Sequence, residues 1–173
     1  MSQHLGAPCK PVVEVGEHVA RGQVIGDVEA MVSAPVHAPA SGTVAEIAAT
    51  LTAGGMTVAA VVIECDETQD LESFVGLPES DDRRARVRAA GIVGMGGATF
   101  PSVVKLTPPK DADVHTVILN GCECEPFLTC DHRLMLEQPE RIVAGAGYIR
   151  DIIGAKRVVI AVESNKPDAA DAL

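Results

Sequence analysis

Aromatic side chains are nearly missing from this chain: its 173 residues hold no Trp, one Tyr and three Phe. Packing must rely on Val, Ile, Leu and Ala, which suits parallel strands buried on both faces. Without Trp and Tyr the usual platforms for stacking nucleic-acid bases are lost. Basic charge is also short. The formal net charge of −10 argues against nucleic-acid binding, which depends on a basic surface, and an acidic surface serves mainly solubility. No apolar run is long enough to span a bilayer, and Met1-Ser2-Gln3-His4 lacks a basic stretch leading into an apolar one. The five cysteines (Cys9, Cys65, Cys122, Cys124 and Cys130) are an odd set without framework spacing, which points to a reducing, cytoplasmic setting. Lysine is absent between Lys10 and Lys105.

What is present falls into two segments, and the length has room for one ordinary domain or two small ones. Residues 1–75 read as all-β: short Val-rich runs (Pro11 to Gly16, Val24 to Gly26, Thr43 to Ile47, Val58 to Ile63) alternate with glycine turns, as in a small sandwich or barrel. A polar linker over 68–82 leads into a helix capped by Ser80 or Asp81, with the arginines of 83–88 on a solvated face. From there to 173 helix alternates with strand. Val114 to Leu119 reads as a buried strand. A helix opens at Pro139 and ends at Gly154, and Arg157 to Glu163 is the next strand. Strand, helix and strand at this spacing predict a right-handed βαβ unit. A further helix opens at Lys166-Pro167, where the sequence stops. We therefore expect a fragment, since two parallel strands make a poor free-standing sheet.

Val15 to Gly26 and Ser33 to Val44 resemble the two halves of a biotinyl/lipoyl-type carrier domain. Such domains attach their cofactor to a lysine at the hairpin tip between the halves. Here the tip reads Glu29-Ala30-Met31-Val32-Ser33, and an amide link to biotin or lipoate needs an amine. The swinging-arm role is excluded at this hairpin, and a structural or docking module is expected. His18 and His37 lack any paired spacing for a metal and read as turn or surface histidines.

Gly94-Met95-Gly96-Gly97-Ala98-Thr99-Phe100-Pro101, followed by Lys105, is the most informative stretch. It departs from the dinucleotide fingerprint because Thr99 stands at the third glycine position and a helix, not a strand, precedes it. Gly96 and Gly97 still let backbone N–H groups converge on an anion, with Lys105 as a point charge. A plain helix-to-loop turn with a surface lysine is the competing reading. Asn120-Gly121-Cys122-Glu123-Cys124-Glu125-Pro126 follows a strand end, where nucleotide polar groups are commonly gripped. The C-x-C-x5-C spacing of Cys122, Cys124 and Cys130 matches neither common ferredoxin run, so free, buried or half-buried thiols are expected.

In this order the segments resemble the RnfC family, the NADH-oxidising subunits of Rnf electron transport complexes. The likeness rests on His4 to Pro8, the carrier-like domain, Gly91 to Pro101 with Lys105-Leu106, Asn120 to Pro126 and Asp131 to Glu137. The second segment is also similar to the flavoprotein subunit of respiratory NADH dehydrogenase.

The resemblance implies an α/β protein with an all-β N-terminal module. A biotinyl/lipoyl-like barrel-sandwich hybrid (1–75) would precede the first half of a Rossmann-like FMN/NADH-binding domain (76–173). It implies that Gly94, Gly96 and Gly97 line an FMN cradle and that Lys105 faces the flavin or its phosphate. Asn120 and Glu123 would bind polar flavin or ribityl groups, with Glu125 and Phe100 on the nicotinamide side. Met95 stands where the respiratory protein has arginine, and Cys122 where it has an acidic residue. FMN and NADH are the implied cofactors, iron–sulfur clusters belonging to sequence beyond residue 173; no metal site and no catalytic side chain is expected within the chain. The implied partners are membrane-embedded and ferredoxin-type Rnf subunits, and the implied place is the cytoplasmic side, peripheral to the membrane. The activity would be NADH:ferredoxin oxidoreduction coupled to ion translocation, with this fragment inactive alone. Alternatives are a flavin-dependent cobalamin reductase of a microcompartment and a non-catalytic scaffold without flavin.

Overall fold

The computed structural model describes residues 1–52, 54–95 and 98–173. Two compact units are present, Met1–Lys105 and Leu106–Leu173. Among the described residues no helix is long and apolar enough to cross a membrane.

The first unit is built on two antiparallel sheets. One joins β1 (Lys10–Pro11), β3 (Val24–Asp27) and β4 (Val36–His37); the other joins β2 (His18–Val19), β5 (Gly42–Leu51) and β6 (Thr57–Cys65). β2 pairs with β5 and β3 with β4, so each sheet joins a strand from the first carrier-like half to one from the second. Val19 and Val44 are fully buried, and Met1, Cys9, Val13, Ile25, Val36 and Ala38 complete the core. These are small, largely β-branched side chains, and the core they fill needs no ring. The β5–β6 ladder runs from Gly42↔Cys65 to Leu51↔Thr57, with a bulge between Val44 and Glu46.

The hairpin tip at 29–33 is pinned at its base, while Met31 at its centre stands 87% exposed. The Ser33 hydroxyl is buried and lies within hydrogen-bonding distance of the Val28 and Ala30 carbonyls, and the Ala7 N–H donates to the Val32 carbonyl. The histidines have structural partners: His18 Nε2 lies 3.0 Å from the Asp66 carboxylate, and His37 Nε2 lies 3.0 Å from the Ala89 carbonyl. The linker is anchored at its start, where Gln69 exchanges hydrogen bonds with the Ser41 backbone and the Val75 N–H donates to the Arg21 carbonyl.

Helix α1 (Arg83–Ala89) is capped by Asp82, one residue later than expected, its carboxylate accepting from the Arg84 and Ala85 N–H groups. The arginine run is not all solvated. Arg88 is half-buried and clamps Asp27 on β3 through two hydrogen bonds of 3.2 and 2.8 Å, while donating to the Val28 carbonyl. The Arg88 hydrogen bond holds the Asp27 carboxyl below its usual range, against the opposing effect of burial. A short helix, α2 (Ser102–Lys105), ends this unit.

The second unit pairs β7 (Thr116–Asn120) with β8 (Arg157–Ala161) in parallel, register Thr116↔Arg157 to Asn120↔Ala161. Between them run α3 (Cys130–Glu137) and α4 (Pro139–Ile153), and α5 (Pro167–Ala172) follows β8. Pro139 stands at the start of α4, and Gly154 closes it in the left-handed region at φ 72°. β7 is not fully buried as expected: Val117 is buried while Ile118 is 66% exposed. Its partner strand covers one edge, and the face bearing Ile118 remains open among the described residues.

Candidate functional site

In the first unit the candidate loop is the tip of a short antiparallel turn. Val93 and Pro101 form a β-bridge, the Gly94 N–H donates to the Phe100 carbonyl at 2.9 Å, and the Ser102 N–H donates to the Ile92 carbonyl at 2.9 Å. Gly96 and Gly97, expected to line the cradle, lie outside the described residues. Thr99 sits at φ 52°, a left-handed conformation that costs a non-glycine residue about 1–2 kcal/mol. Such an outlier persists only where surrounding bonds hold it. Here the Thr99 carbonyl accepts from the Leu5 N–H at 3.2 Å. Lys105 is exposed, and its ammonium lies 5.9 Å from the centre of the half-buried Phe100 ring, a cation–π distance. The structure thus brings Lys105 and Phe100 together beside Gly94.

In the second unit Asn120 closes β7, and its side-chain oxygen accepts from the Cys122 N–H at 3.1 Å. Gly121 crosses so close to β8 that an added Cβ would meet the Ala161 carbonyl and the Met135 sulfur at 3.0 Å each. A cavity of about 170 Å³ opens here, lined by Leu119, Asn120, Met135, Ile142 and Ile160 among others. It stands at the carboxyl ends of parallel strands, where open α/β sheets bind ligands. Glu125 is exposed. Phe127 is fully exposed at φ 68°, a second non-glycine residue in the left-handed region.

Glu123 is engaged within the chain. Its side chain is only 3% exposed, and its oxygens are engaged by groups of the chain itself. They accept from the Asp131 N–H (2.8 Å), the His132 N–H (3.1 Å), the Lys166 ammonium (3.0 Å) and the Cys130 thiol (3.3 Å). Thr129, at the cap position of α3, makes no side-chain cap, so Glu123 caps the helix from seven residues upstream of its first residue. Burial is the strongest single influence on its acidity and opposes ionisation. The two backbone N–H groups, Lys166 and Cys130 together outweigh it and bring the carboxyl down to about 2. Lys166 also meets Glu163 at 2.9 Å, and these two carboxylates raise its pKa, Glu163 foremost. His132 Nε2 lies 3.0 Å from Asp168, tying α3 to α5.

Glu123, Cys130 and Asp131 bring donor atoms within 4.8 Å of one another. The Lys166 ammonium already supplies the countercharge there. Sequence reasoning missed Lys166 and Asp168 as members of the site, whereas Asp131-His132 reads in the sequence as a helix start and stands at the start of α3. The one available signal was their place: Lys166 and Asp168 open the helix that follows a parallel strand. The cysteines expected to be buried are not, since Cys122, Cys124 and Cys130 are exposed and free.

Residues 87–173 match the family described as the Nuo51 FMN-binding domain. The chain belongs to that family. Residues 1–68 match the RnfC barrel sandwich hybrid domain, so the two architectures expected from sequence occur in the expected order, and the whole is RnfC-like. Three relatives are the C subunits of ion-translocating complexes. The chain is 45% identical to that of the Na(+)-translocating ferredoxin:NAD(+) oxidoreductase complex of Acetobacterium woodii, over 100% of this chain and 40% of the relative. It is 44% identical to the proton-translocating counterpart of Clostridium ljungdahlii, over 99% and 39%. To that of the ion-translocating oxidoreductase complex of Rhodobacter capsulatus it is 42% identical, over 100% and 35%. The chain therefore spans less than half the length of each of these relatives.

Proposed function

We propose that the chain is part of an RnfC-type subunit that oxidises NADH through FMN and passes electrons to iron–sulfur clusters outside residues 1–173. Ion translocation would be carried out by membrane-embedded partners, with ferredoxin-type subunits completing the path. The protein would lie peripherally on the cytoplasmic side. The family match over 87–173 carries this reading, and the names of the Acetobacterium and Clostridium relatives extend it to NAD(+) and ferredoxin. We place the barrel-sandwich domain at 1–75 and the first part of the flavin domain at 76–173, which accommodates the matches at 1–68 and 87–173.

The residues present suit a flavin mononucleotide. Lys105 is an exposed cation beside the turn that bears Gly94, and the apolar cavity at Asn120 is bordered by few polar groups. We assign phosphate binding to Gly94, Gly96, Gly97 and Lys105, a polar flavin contact to Asn120, and the nicotinamide side to Glu125 and Phe100. Glu123 takes a positioning role, because its oxygens fix the start of α3 and thereby the 121–130 loop. Bound FMN supplies hydride acceptance and one-electron release; the protein supplies position and electrostatics. Lys105 would neutralise phosphate charge, and the Phe100 ring would exclude water from its side of the site.

Fluorescence titration of FMN against the full-length subunit tests the assignment. Saturable quenching that weakens about tenfold or more in Lys105→Ala is expected for a lost charge-assisted contact. A full-length subunit that binds no flavin would replace the oxidoreductase reading with a scaffold.

A further inference from the structure

We propose that the barrel-sandwich domain, unable to carry a cofactor arm, serves as the rigid mount of the flavin-phosphate loop, with Arg88, Asp27, His37 and Leu5 as positioning residues. This inference rests on assigning that loop to flavin. The FMN-binding family match starts at residue 87, yet residues 87–105 pack with the barrel in the unit Met1–Lys105. The first part of the flavin domain is thus held by the barrel.

Three fastenings act at successive points along this segment. In the last turn of α1, Arg88 grips the Asp27 carboxylate with two nitrogens and adds the Val28 carbonyl. A planar, two-point grip of this kind fixes orientation as well as distance. At the end of α1, His37 Nε2 meets the Ala89 carbonyl, which the helix itself leaves without a partner. The nitrogen must therefore be the donor. One step later Gly91, at φ 65°, passes so close to β4 that a Cβ would lie 2.7 Å from the Pro35 carbonyl and 3.0 Å from the His37 ring. At the loop itself the Leu5 N–H holds the carbonyl of Thr99, the residue in the left-handed region. Barrel residues on β3 and β4 thereby hold the approach to the turn between Val93 and Pro101, and Leu5 holds the turn itself. Gly94, Phe100 and Lys105, on or just after that turn, inherit their placement.

The fastenings come from elements far apart in sequence, and none of these four side chains or amides needs to touch the ligand. Pre-set geometry of this kind raises affinity by sparing the ligand the cost of ordering the loop. By linkage, bound flavin must then tighten the mount in return.

The test uses full-length protein with Asp27→Ala, Leu5→Pro and the exchanged pair Asp27→Arg/Arg88→Asp; Glu46→Ala, an exposed carboxylate on β5, is the control. FMN affinity is read by fluorescence, and amide hydrogen exchange of segment 92–101 by mass spectrometry without flavin. Below the melting temperature of each variant, Asp27→Ala and Leu5→Pro should each weaken FMN roughly tenfold and speed exchange of 92–101. The exchanged pair should recover most of both, and Glu46→Ala should change neither. Unchanged affinity and unchanged exchange in folded Asp27→Ala and Leu5→Pro would overturn the mount. If wild-type protein binds no FMN, the flavin assignment fails instead, and the exchange arm still decides whether the barrel holds the loop.

Discussion

Five thiols share this chain, and their surroundings set three different reactivities. Cys9 is buried, donates to the Ala34 carbonyl at 3.1 Å and has its pKa pushed up by burial first and by the nearby Asp27 charge second. Cys130 is exposed, yet the Glu123 carboxylate that accepts its S–H raises its pKa as well, with desolvation adding to the effect. Cys65, Cys122 and Cys124 are exposed. Because the thiolate is the nucleophile, iodoacetamide at pH 7.5 should label Cys122 and Cys124 first, Cys130 more slowly, and Cys9 only on unfolding. Peptide mapping over time checks the order, and Glu123→Gln should bring Cys130 level with its neighbours. None of this ordering was readable from C-x-C-x5-C. Spacing along a chain says which thiols are close in sequence, whereas acidity depends on a carboxylate delivered by a fold-back of the loop.

Among the elements, α3 takes its cap from a residue that the sequence alone offers as a flavin contact. A helix normally draws its cap from the residue before it. Here Thr129 leaves that place unused, and Glu123 reaches the Asp131 and His132 N–H groups through space. An acidic residue in a loop after a strand reads as a ligand group unless that fold-back is known. The sign of the resulting pH effect is fixed. The folded carboxyl at about 2 lies below its ordinary 4.5, so its contribution is complete above pH 4.5 and fades as pH falls toward 2. Glu123→Gln should therefore lower the melting temperature at pH 7, with the gap to wild type closing between pH 4.5 and 2. A gap that stays constant over that window would mean the carboxylate charge does not act through the cap. Helix α4, by contrast, was legible throughout, because Pro139 and Gly154 are local signals that need no tertiary partner. Gly154→Ala, placing a Cβ at φ 72°, should cost about 1 kcal/mol by denaturant titration.

For the molecule as a whole, the change from Val-rich strands to alternating helix and strand was visible in composition and spacing. That change gave both architectures and their order. What stayed hidden is which of them owns residues 83–105. Arg88 and Asp27 are 61 positions apart, and in sequence the arginines of 83–88 look like any solvated face. The linker before them is exposed from Ser73 to Asp82 and offers Glu79 to a glutamate-specific protease. A cut there separates the barrel from everything after it in sequence, but not in space. The clamp of Arg88 on Asp27, the His37 bond to Ala89 and the Leu5 bond to Thr99 all cross the cut. The two pieces should therefore elute together on size exclusion at low salt. Because the clamp is only partly shielded from water, it is worth about 1 kcal/mol and weakens with ionic strength. Asp27→Ala removes it, so the nicked variant should dissociate at a salt concentration that leaves nicked wild type intact. Immediate separation of the wild-type pieces would show that residues 83–105 follow the flavin domain and not the barrel.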